Sequence, residues 1–379
     1  MIAINVRRRT LIFLLSVFLS LLIIPAVNII SASDLGGVKW YKKGFLFNMD
    51  FALRRASKSL YPVGISVDPK QAVIGHDGWL YLGDLYEQTR TVDRRSPTEA
   101  DFALGKKIGE ATAAWEAYLS SKGVKLFRIM VGPNKGTIYS EHLPTWAKPP
   151  SPNVTDALFA GTGNIRYVDL RQPLLAAKDS QPEALYYKTD THWNSLGAGI
   201  SFRAFARQVA VAAPELRWPL EAAYELGSVK PRGGGDLAKF LRLNEDLTDA
   251  EPIIRVTSGS IETIQFDFET KKIIRRGGNP NIDAPPKPLL IKSERALNAK
   301  RVLWLRDSFG TAMSPLMAAT FSDVLQLHWN EGLKSPEHFS QLVDEFKPDY
   351  VFITVVERSS RARAFTVYPP AILMPKASN

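Results

Sequence analysis

Cysteine is absent from the 379-residue chain. Disulfides, thiolate nucleophiles, cysteine-based zinc sites and iron–sulfur clusters are therefore excluded. Histidine is scarce, with five copies, so each can be weighed singly. No internal repeat is visible. Long apolar runs are limited to one, which rules out a polytopic membrane protein. What is present is ordinary globular composition, 45% hydrophobic and 23% charged residues, too apolar for a mostly disordered chain. The length suits one large domain or two modest ones. The net charge is +10. Such a balance suits a polyanionic glycan, a membrane surface or nucleic acid, and equally plain solubility. Charge alone does not choose.

The one long apolar run is Thr10 to Ile30, without a charge and just after Arg7, Arg8 and Arg9. As a helix it spans roughly 31 Å, close to the hydrocarbon thickness of a bilayer. The arginines keep the N-terminus in the cytoplasm, so the chain beyond the run is exported. A cleavable signal peptide, with Ser31, Ala32 and Ser33 near the cut, competes with an uncleaved signal anchor. The run exceeds the usual signal core, which favours the anchor. Export removes nucleic acid and cytosolic cofactors from the list of partners.

Four stretches are expected: a cytoplasmic tip and anchor at 1–33, a basic membrane-proximal connector at 34–70, a main domain at 71–365 and a tail at 366–379. In the main domain, Asp77-Gly78 signals a turn before a short strand at Trp79–Leu82. Apolar spacing predicts a helix over Thr98–Ser121, a strand over Val124–Val131, another over Ile165–Leu170 and a helix from Asn194 or Ser195. Residues 215–300, with their glycines and prolines, read as an insertion holding a helical piece at Asp236–Leu243 and a β-hairpin within 262–276. Alternation then resumes: strand 301–305, helix 311–320, strand 323–328, helix 336–346, strand 350–356. This pattern predicts an α/β fold, a parallel sheet with helices on both faces.

Two segments carry candidate chemistry. In KTDTHWNSLGAG, Asp190 lies two residues before His192, ahead of a helix start. A carboxylate there can fix the imidazole tautomer and leave the other nitrogen as a base, or it can simply cap the helix. In RVLWLRDSFGTAM, Ser308 follows an apolar strand and precedes a helix. Such a serine presents its hydroxyl at the ligand-binding edge of a parallel sheet, or is only an N-cap. Together the segments supply a nucleophile, a base and an orienting acid. His76, His142, His328 and His338 have no such setting.

The order Asp-x-His-Trp, then an insertion, then Asp-Ser-Phe-Gly resembles the SGNH-hydrolase-like polysaccharide O-acetyltransferases, the alginate O-acetylation proteins of the AlgJ/AlgX type. GHDGWLYLGD (75–84), VGPNKGTIYSEHLP (131–144), YYKTDTHWNSLGA (186–198), GGDLAKFL (234–241), LRDSFG (305–310) and ITVVER (353–358) extend the resemblance from about 70 to 360. Ordinary SGNH hydrolases place the serine block first; here, as in this family, Asp and His precede it. The resemblance implies an SGNH-like (flavodoxin-like) fold in a Gram-negative periplasm, attached to the inner membrane. It implies Ser308 as nucleophile, His192 as base and Asp190 as its orienting residue, with no cofactor and no metal. The acetyl group comes from a multispanning membrane acyltransferase partner and goes to a secreted, anionic polysaccharide. With only 21 residues after Arg358, the C-terminal carbohydrate-binding β-sandwich of some relatives is not expected.

Trp193, Tyr186 and Tyr187 either stack on sugar faces or pack the loop. Asn134 sits in a loop suited to an oxyanion donor, and backbone amides near Ser308 and Gly310 are expected to share that task. Lys135, Arg306 and Arg358 either meet uronate carboxylates or are merely solvated. The rival readings are an acetylesterase or deacetylase with the same site, and a non-catalytic glycan-binding scaffold of an export complex.

Overall fold

The computed structural model describes residues 2–32, 41–163, 165–255 and 261–370. Ser33 of the expected cleavage region, the first part of the connector (34–40) and the end of the tail (371–379) lie outside the described residues. The chain divides into two units, residues 1–67 with 241–243, and residues 68–240 with 244–379.

The first unit is helical, with helices Ile2–Ser31, Lys43–Leu46 and Asp50–Leu60. Within the long one, Val6–Ser31 is long and apolar enough to cross a membrane and lies near the N-terminus, as a signal anchor or a signal peptide would. Leu11, Phe13, Leu19 and Leu22 on it are exposed. A helix that is apolar all round and buries nothing in its own fold needs an apolar surrounding.

The second unit contains twelve described strands: β1 (Ala72–Ile74), β2 (Leu80–Leu82), β3 (Leu126–Gly132), β4 (Tyr167–Asp169), β5 (Leu226–Gly233), β6 (Thr248–Ile254), β7 (Thr263–Asp267), β8 (Ile273–Arg276), β9 (Leu289–Ser293), β10 (Asn298–Arg306), β11 (Phe321–His328) and β12 (Tyr350–Val356). Eight of them form one sheet in the order β4-β3-β12-β10-β11-β9-β7-β8. From β4 to β11 neighbours run parallel, whereas β9, β7 and β8 are antiparallel. The sheet has the expected parallel centre, and the strands of the insertion at 215–300 add an antiparallel edge that makes it mixed. The insertion does not stand apart: its 262–276 hairpin and β9 pair onto β11 and continue the sheet. β5 and β6 form a separate antiparallel ribbon, as do β1 and β2.

Both faces of the parallel half are covered. Val302, Trp304 and Phe352 point to one side, with Phe202, Phe205 and Val209 of helix Ser195–Ala212. Leu303, Leu305 and Ile353 point to the other, with Ile108 and Trp115 of helix Glu99–Ser121 and Phe339 of helix Pro336–Phe346. Burial on both faces is why these strands read as continuous apolar runs rather than alternating ones. Thr98 and Asp101 form the capping box that starts helix Glu99–Ser121. Asp77 and Gly78 make the turn before β2 with φ of 56° and 80°, the left-handed pair a tight hairpin turn requires. The helical piece of the insertion stops at Phe240, short of the expected Leu243. The helix expected from Thr311 begins earlier, as a 3-10 turn over Ser308–Met313, and becomes α-helical at Ser314.

Phe352 lies in the middle of the sheet with no exposure and an edge-to-face contact to Phe205 at 4.9 Å between centroids. Phe352→Ala should cost about 3–5 kcal/mol through lost burial and a cavity. Urea unfolding followed by tryptophan fluorescence checks this; an unshifted midpoint would contradict the packing described.

Candidate active site

Ser308 stands where β10 ends and the next helical turn begins. Asp307 shapes that turn. Its extended backbone makes it the N-cap, and one carboxylate oxygen accepts the Phe309 amide at 2.9 Å. The other accepts the Val356 amide at 2.7 Å, at the end of β12. Asp307 is thus engaged at the sheet edge, not beside the imidazole. The turn leaves the Ser308 side chain exposed at the C-terminal ends of parallel strands, where an open α/β sheet offers its ligand-binding crevice.

The segment 186–194 approaches from the neighbouring edge. Asn194 caps helix Ser195–Ala212 by accepting from the Leu196 and Gly197 amides. Trp193 is 2% exposed; its indole N–H donates to the Phe309 carbonyl at 2.9 Å and its ring packs on Phe309. Of the two roles open to Trp193, packing is the one observed. Tyr186 is equally buried, its hydroxyl donating to the Pro133 carbonyl.

With the two segments tied together, His192 Nε2 lies 2.7 Å from Ser308 Oγ, and Nδ1 lies 2.6 Å from Asp190 Oδ1. Asp190 also accepts the His192 amide through Oδ1, and Arg232 donates to its Oδ2 at 2.9 Å. Burial pushes the Asp190 carboxyl upward. The hydrogen bond and charge of His192 and the charge of Arg232 outweigh it and hold the group below the usual carboxylate range. Asp190 therefore stays ionised and Nδ1 keeps its proton, which leaves Nε2 as the acceptor facing the hydroxyl.

Several expected ligand contacts are replaced by internal ones. Lys135 is buried, and its ammonium donates to the carbonyls of Tyr187, Lys188 and Asp190 at 2.9, 2.9 and 2.7 Å. It holds the Asp190 segment rather than facing a carboxylate of a ligand. Burial pushes its pKa down to about 7, against the pull of Asp236, Asp190 and Asp249. Arg306 is fully buried and donates to Gln326 and to the carbonyls of Asp307, Ile282 and Asp283. A guanidinium that meets four acceptors inside the protein cannot reach a uronate. Asn134 is buried too. Its amide donates to Glu357, and its side chain meets Asp93 and Arg358; it lines neither cleft beside Ser308. The Gly310 amide donates to the Asp307 carbonyl at 3.1 Å, so it is not free for an oxyanion. Among the described residues the first-turn amide left over is that of Ser308 itself.

Two clefts open at Ser308 and His192. One, of about 650 Å³, is lined by Leu85, Tyr86, Phe240, Trp329 and Arg358. The other, of about 600 Å³, is lined by Tyr187, Arg232, Asp236, Glu251, Asn281 and Asp283. Arg358, Tyr187 and, by its small exposed edge, Trp193 are the expected ligand-binding side chains that line the clefts. Tyr187 is held beneath the Arg232 guanidinium at 4.0 Å and donates to Glu251. Arg232, Asp236 and Thr191 were missed by sequence reasoning. The available signal was the Gly233-Gly234-Gly235-Asp236 run. A Cβ at Gly235 would lie 2.3 Å from the Asp190 Cβ, so only glycine lets this segment reach the Asp190 carboxylate. Donor atoms of Asp190, His192 and Asp236 lie within 4.8 Å of one another. The proton between His192 and Asp190 and the Arg232 guanidinium already occupy that space, so the cluster suits a proton rather than a metal ion.

A family model described as "SGNH hydrolase-like domain, acetyltransferase AlgX" matches residues 72–263. A protein of Pseudomonas fluorescens named "Probable alginate O-acetylase AlgJ" is 29% identical over 176 residues, which cover 45% of this chain and 41% of the relative. Its namesake in Pseudomonas syringae pv. tomato is 32% identical over 178 residues, with the same coverage, 45% and 41%. The match thus spans about two fifths of the length of these relatives. Among solved structures, Bacillus cereus PatB1 with a sulfonyl adduct shares the fold, with a TM-score of 0.55 at 14% identity over 78% of this chain and 98% of that one. Since the family model takes in just over half of the chain, including the Asp190–His192 segment and the glycine run that supports it, the chain belongs to the AlgX-type family of SGNH hydrolase-like acetyltransferase domains.

Proposed function

We propose that this chain is a polysaccharide O-acetyltransferase that moves acetyl groups through an acyl-enzyme on Ser308 to hydroxyls of a secreted polysaccharide such as alginate. The observation that carries the proposal is the continuous line of hydrogen bonds from Ser308 Oγ through His192 to Asp190, at the meeting of two open clefts. The relatives named alginate O-acetylases support the substrate class. The apolar helix supports a working place outside the cytoplasm, with residues 1–33 as tip and signal anchor (or a cleaved signal peptide), 34–70 as connector, 71–365 as catalytic domain and 366–379 as tail. The periplasmic face of the inner membrane is then the site of action. A multispanning membrane acyltransferase supplies the acetyl group, and an anionic polysaccharide receives it.

The chemistry runs in two halves. His192 Nε2 takes the Ser308 proton as Oγ bonds to the acetyl carbonyl carbon. The tetrahedral oxyanion forms beside the Ser308 amide, and the donor's leaving oxygen departs with the proton from His192. A sugar hydroxyl then gives its proton to Nε2 while its oxygen attacks the acyl-serine. Collapse returns the proton to Ser308 and releases the acetylated sugar. Asp190 holds the ring tautomer throughout and stays ionised. The exposure of Ser308 also admits water as an acceptor, which is the acetylesterase reading. Acetate release from an activated acetyl ester should fall when oligosaccharide is added if transfer dominates, and stay constant if hydrolysis does.

Incubation with an activated acetyl ester should add one acetyl mass to the protein, lost in Ser308→Ala. Ser308→Ala and His192→Ala should each lower transfer by a factor of about 10³ or more, and the double variant should be little worse, because the two act as one unit. A folded Ser308→Ala protein with full transfer would sink the mechanism and restore the scaffold reading.

Asp190→Asn should lower transfer by roughly 10² or more through loss of the tautomer lock. Asp307→Asn should lower it less and act mainly on stability, since Asp307 holds the turn and the end of β12. Thermal melts and rates measured on both variants check this; the reverse ranking of rates would exchange the roles of the two aspartates.

A further inference from the structure

A second carboxylate faces the same imidazole nitrogen. Asp236 Oδ2 lies 3.7 Å from His192 Nδ1. It is held there by Thr191, whose amide donates to Oδ1 at 2.7 Å and whose hydroxyl donates to Oδ2. The Thr191 hydroxyl is itself 3.2 Å from His192 Nδ1. The Asp236 side chain is about one-third exposed, 35%, against 7% for Asp190. Charge counting makes this second acid significant. Asp190 carries one negative charge, and the Arg232 guanidinium at 2.9 Å carries one positive charge. Arg232 sits on the far oxygen and offsets part of the Asp190 charge, while Asp190 at 2.6 Å remains the nearer anion. Asp236 adds a second negative charge on the Nδ1 side. Lys135 faces Asp236, Asp190 and Asp249 from the buried side with its positive charge. Asp307 accepts two amides, Arg358 donates to Asn134, Glu87 accepts from Ser359, and Glu251 accepts from Tyr187 and lies 3.8 Å from Arg232.

We propose that Asp236 is a positioning residue for His192. Its charge adds to that of Asp190, which Arg232 partly offsets, in stabilising the imidazolium during acyl transfer. The inference rests on the reading of His192 as the general base. When Nε2 takes the Ser308 proton, the ring becomes cationic while Nδ1 keeps the proton it shares with Asp190. A nearby anion lowers the energy of that state, and a nearby cation raises it. Asp190 thus fixes the ring, Arg232 fixes Asp190, and Asp236 strengthens the negative field on the Nδ1 side. The Gly235 approach makes this possible by bringing the start of the Asp236 helix against the Asp190 side chain.

The test is kcat, KM and the pH profile of kcat/KM for an aryl acetate, measured on the full chain from about pH 5 to about pH 9. Asp236→Asn should lower kcat roughly tenfold with little change in KM, and should move the ascending limb of the profile to lower pH. Arg232→Gln should move the limb the other way, to higher pH. Asp236→Glu, which keeps the charge, should leave the limb in place. The Asp236→Asn, Arg232→Gln double variant should bring it back towards the wild type. A merely structural role for Asp236 would lower the amount of folded enzyme without moving the limb. An unmoved limb with kcat within twofold of wild type in Asp236→Asn overturns the proposal, as does a shift in the same direction for Asp236→Asn and Arg232→Gln. If Asp236→Asn does not fold, the upward shift in Arg232→Gln decides alone, and its absence overturns the proposal. His192→Ala separates the two levels. An active His192→Ala protein ends the general-base reading itself, whereas an inactive one beside an unaffected Asp236→Asn ends only the role of Asp236.

Discussion

The Trp193 indole N–H and the Phe309 carbonyl meet at 2.9 Å inside the protein, joining segments 116 residues apart. The rest of the site depends on that contact. A buried indole N–H must find an acceptor, and the acceptor it finds belongs to the residue after the exposed serine. Trp193 follows His192 directly, and Phe309 follows Ser308 directly. Fastening the second pair therefore sets the first pair side by side at the sheet edge. The bond is shielded from solvent, so water does not compete for it, and the His192–Ser308 distance inherits its precision from packing.

Charges that a sequence offers to a ligand are in several cases used inside the fold. Lys135 and Arg306 are strong, multi-pronged donors, and each meets backbone carbonyls of segments at the site. Three charge-assisted hydrogen bonds to carbonyls offset part of the desolvation of one ammonium. Burial still pushes both groups down, Lys135 to about 7 and Arg306 to about 9. Such residues shape the site through the backbone they hold. What remains to meet a substrate is the smaller set on the cleft walls, with aromatic and apolar side chains on one side of Ser308 and polar ones on the other.

The insertion has a double part that its composition concealed. Its hairpin and β9 lengthen the sheet beyond β11, which covers an edge that would otherwise expose unpaired backbone groups. Its earlier portion supplies Arg232, the glycine run and Asp236 to the back of His192. Loop-like glycines usually mark only a turn. Here Gly235 marks a close approach between two segments distant in sequence, and nothing in its local neighbours indicates which segment it approaches.

Much of the architecture was legible because it rests on local rules. The apolar periodicity of 99–121 and 195–212, the helix starts near Thr98 and Asn194, the Asp77-Gly78 turn and the 262–276 hairpin all arise from forces acting within a few residues. The segments that hold Asp190, His192 and Ser308 were legible as an Asp-x-His loop and a strand-to-helix turn, each also readable as a helix cap until the two were taken together with the family resemblance. The direction of the added strands, the burial of Lys135, Arg306 and Trp193, and the gathering of Arg232 and Asp236 around one imidazole were decided only in three dimensions. Each depends on which distant backbone groups lack partners and on which segments can approach without a clash. Those are properties of the packed whole, and no stretch of sequence contains them.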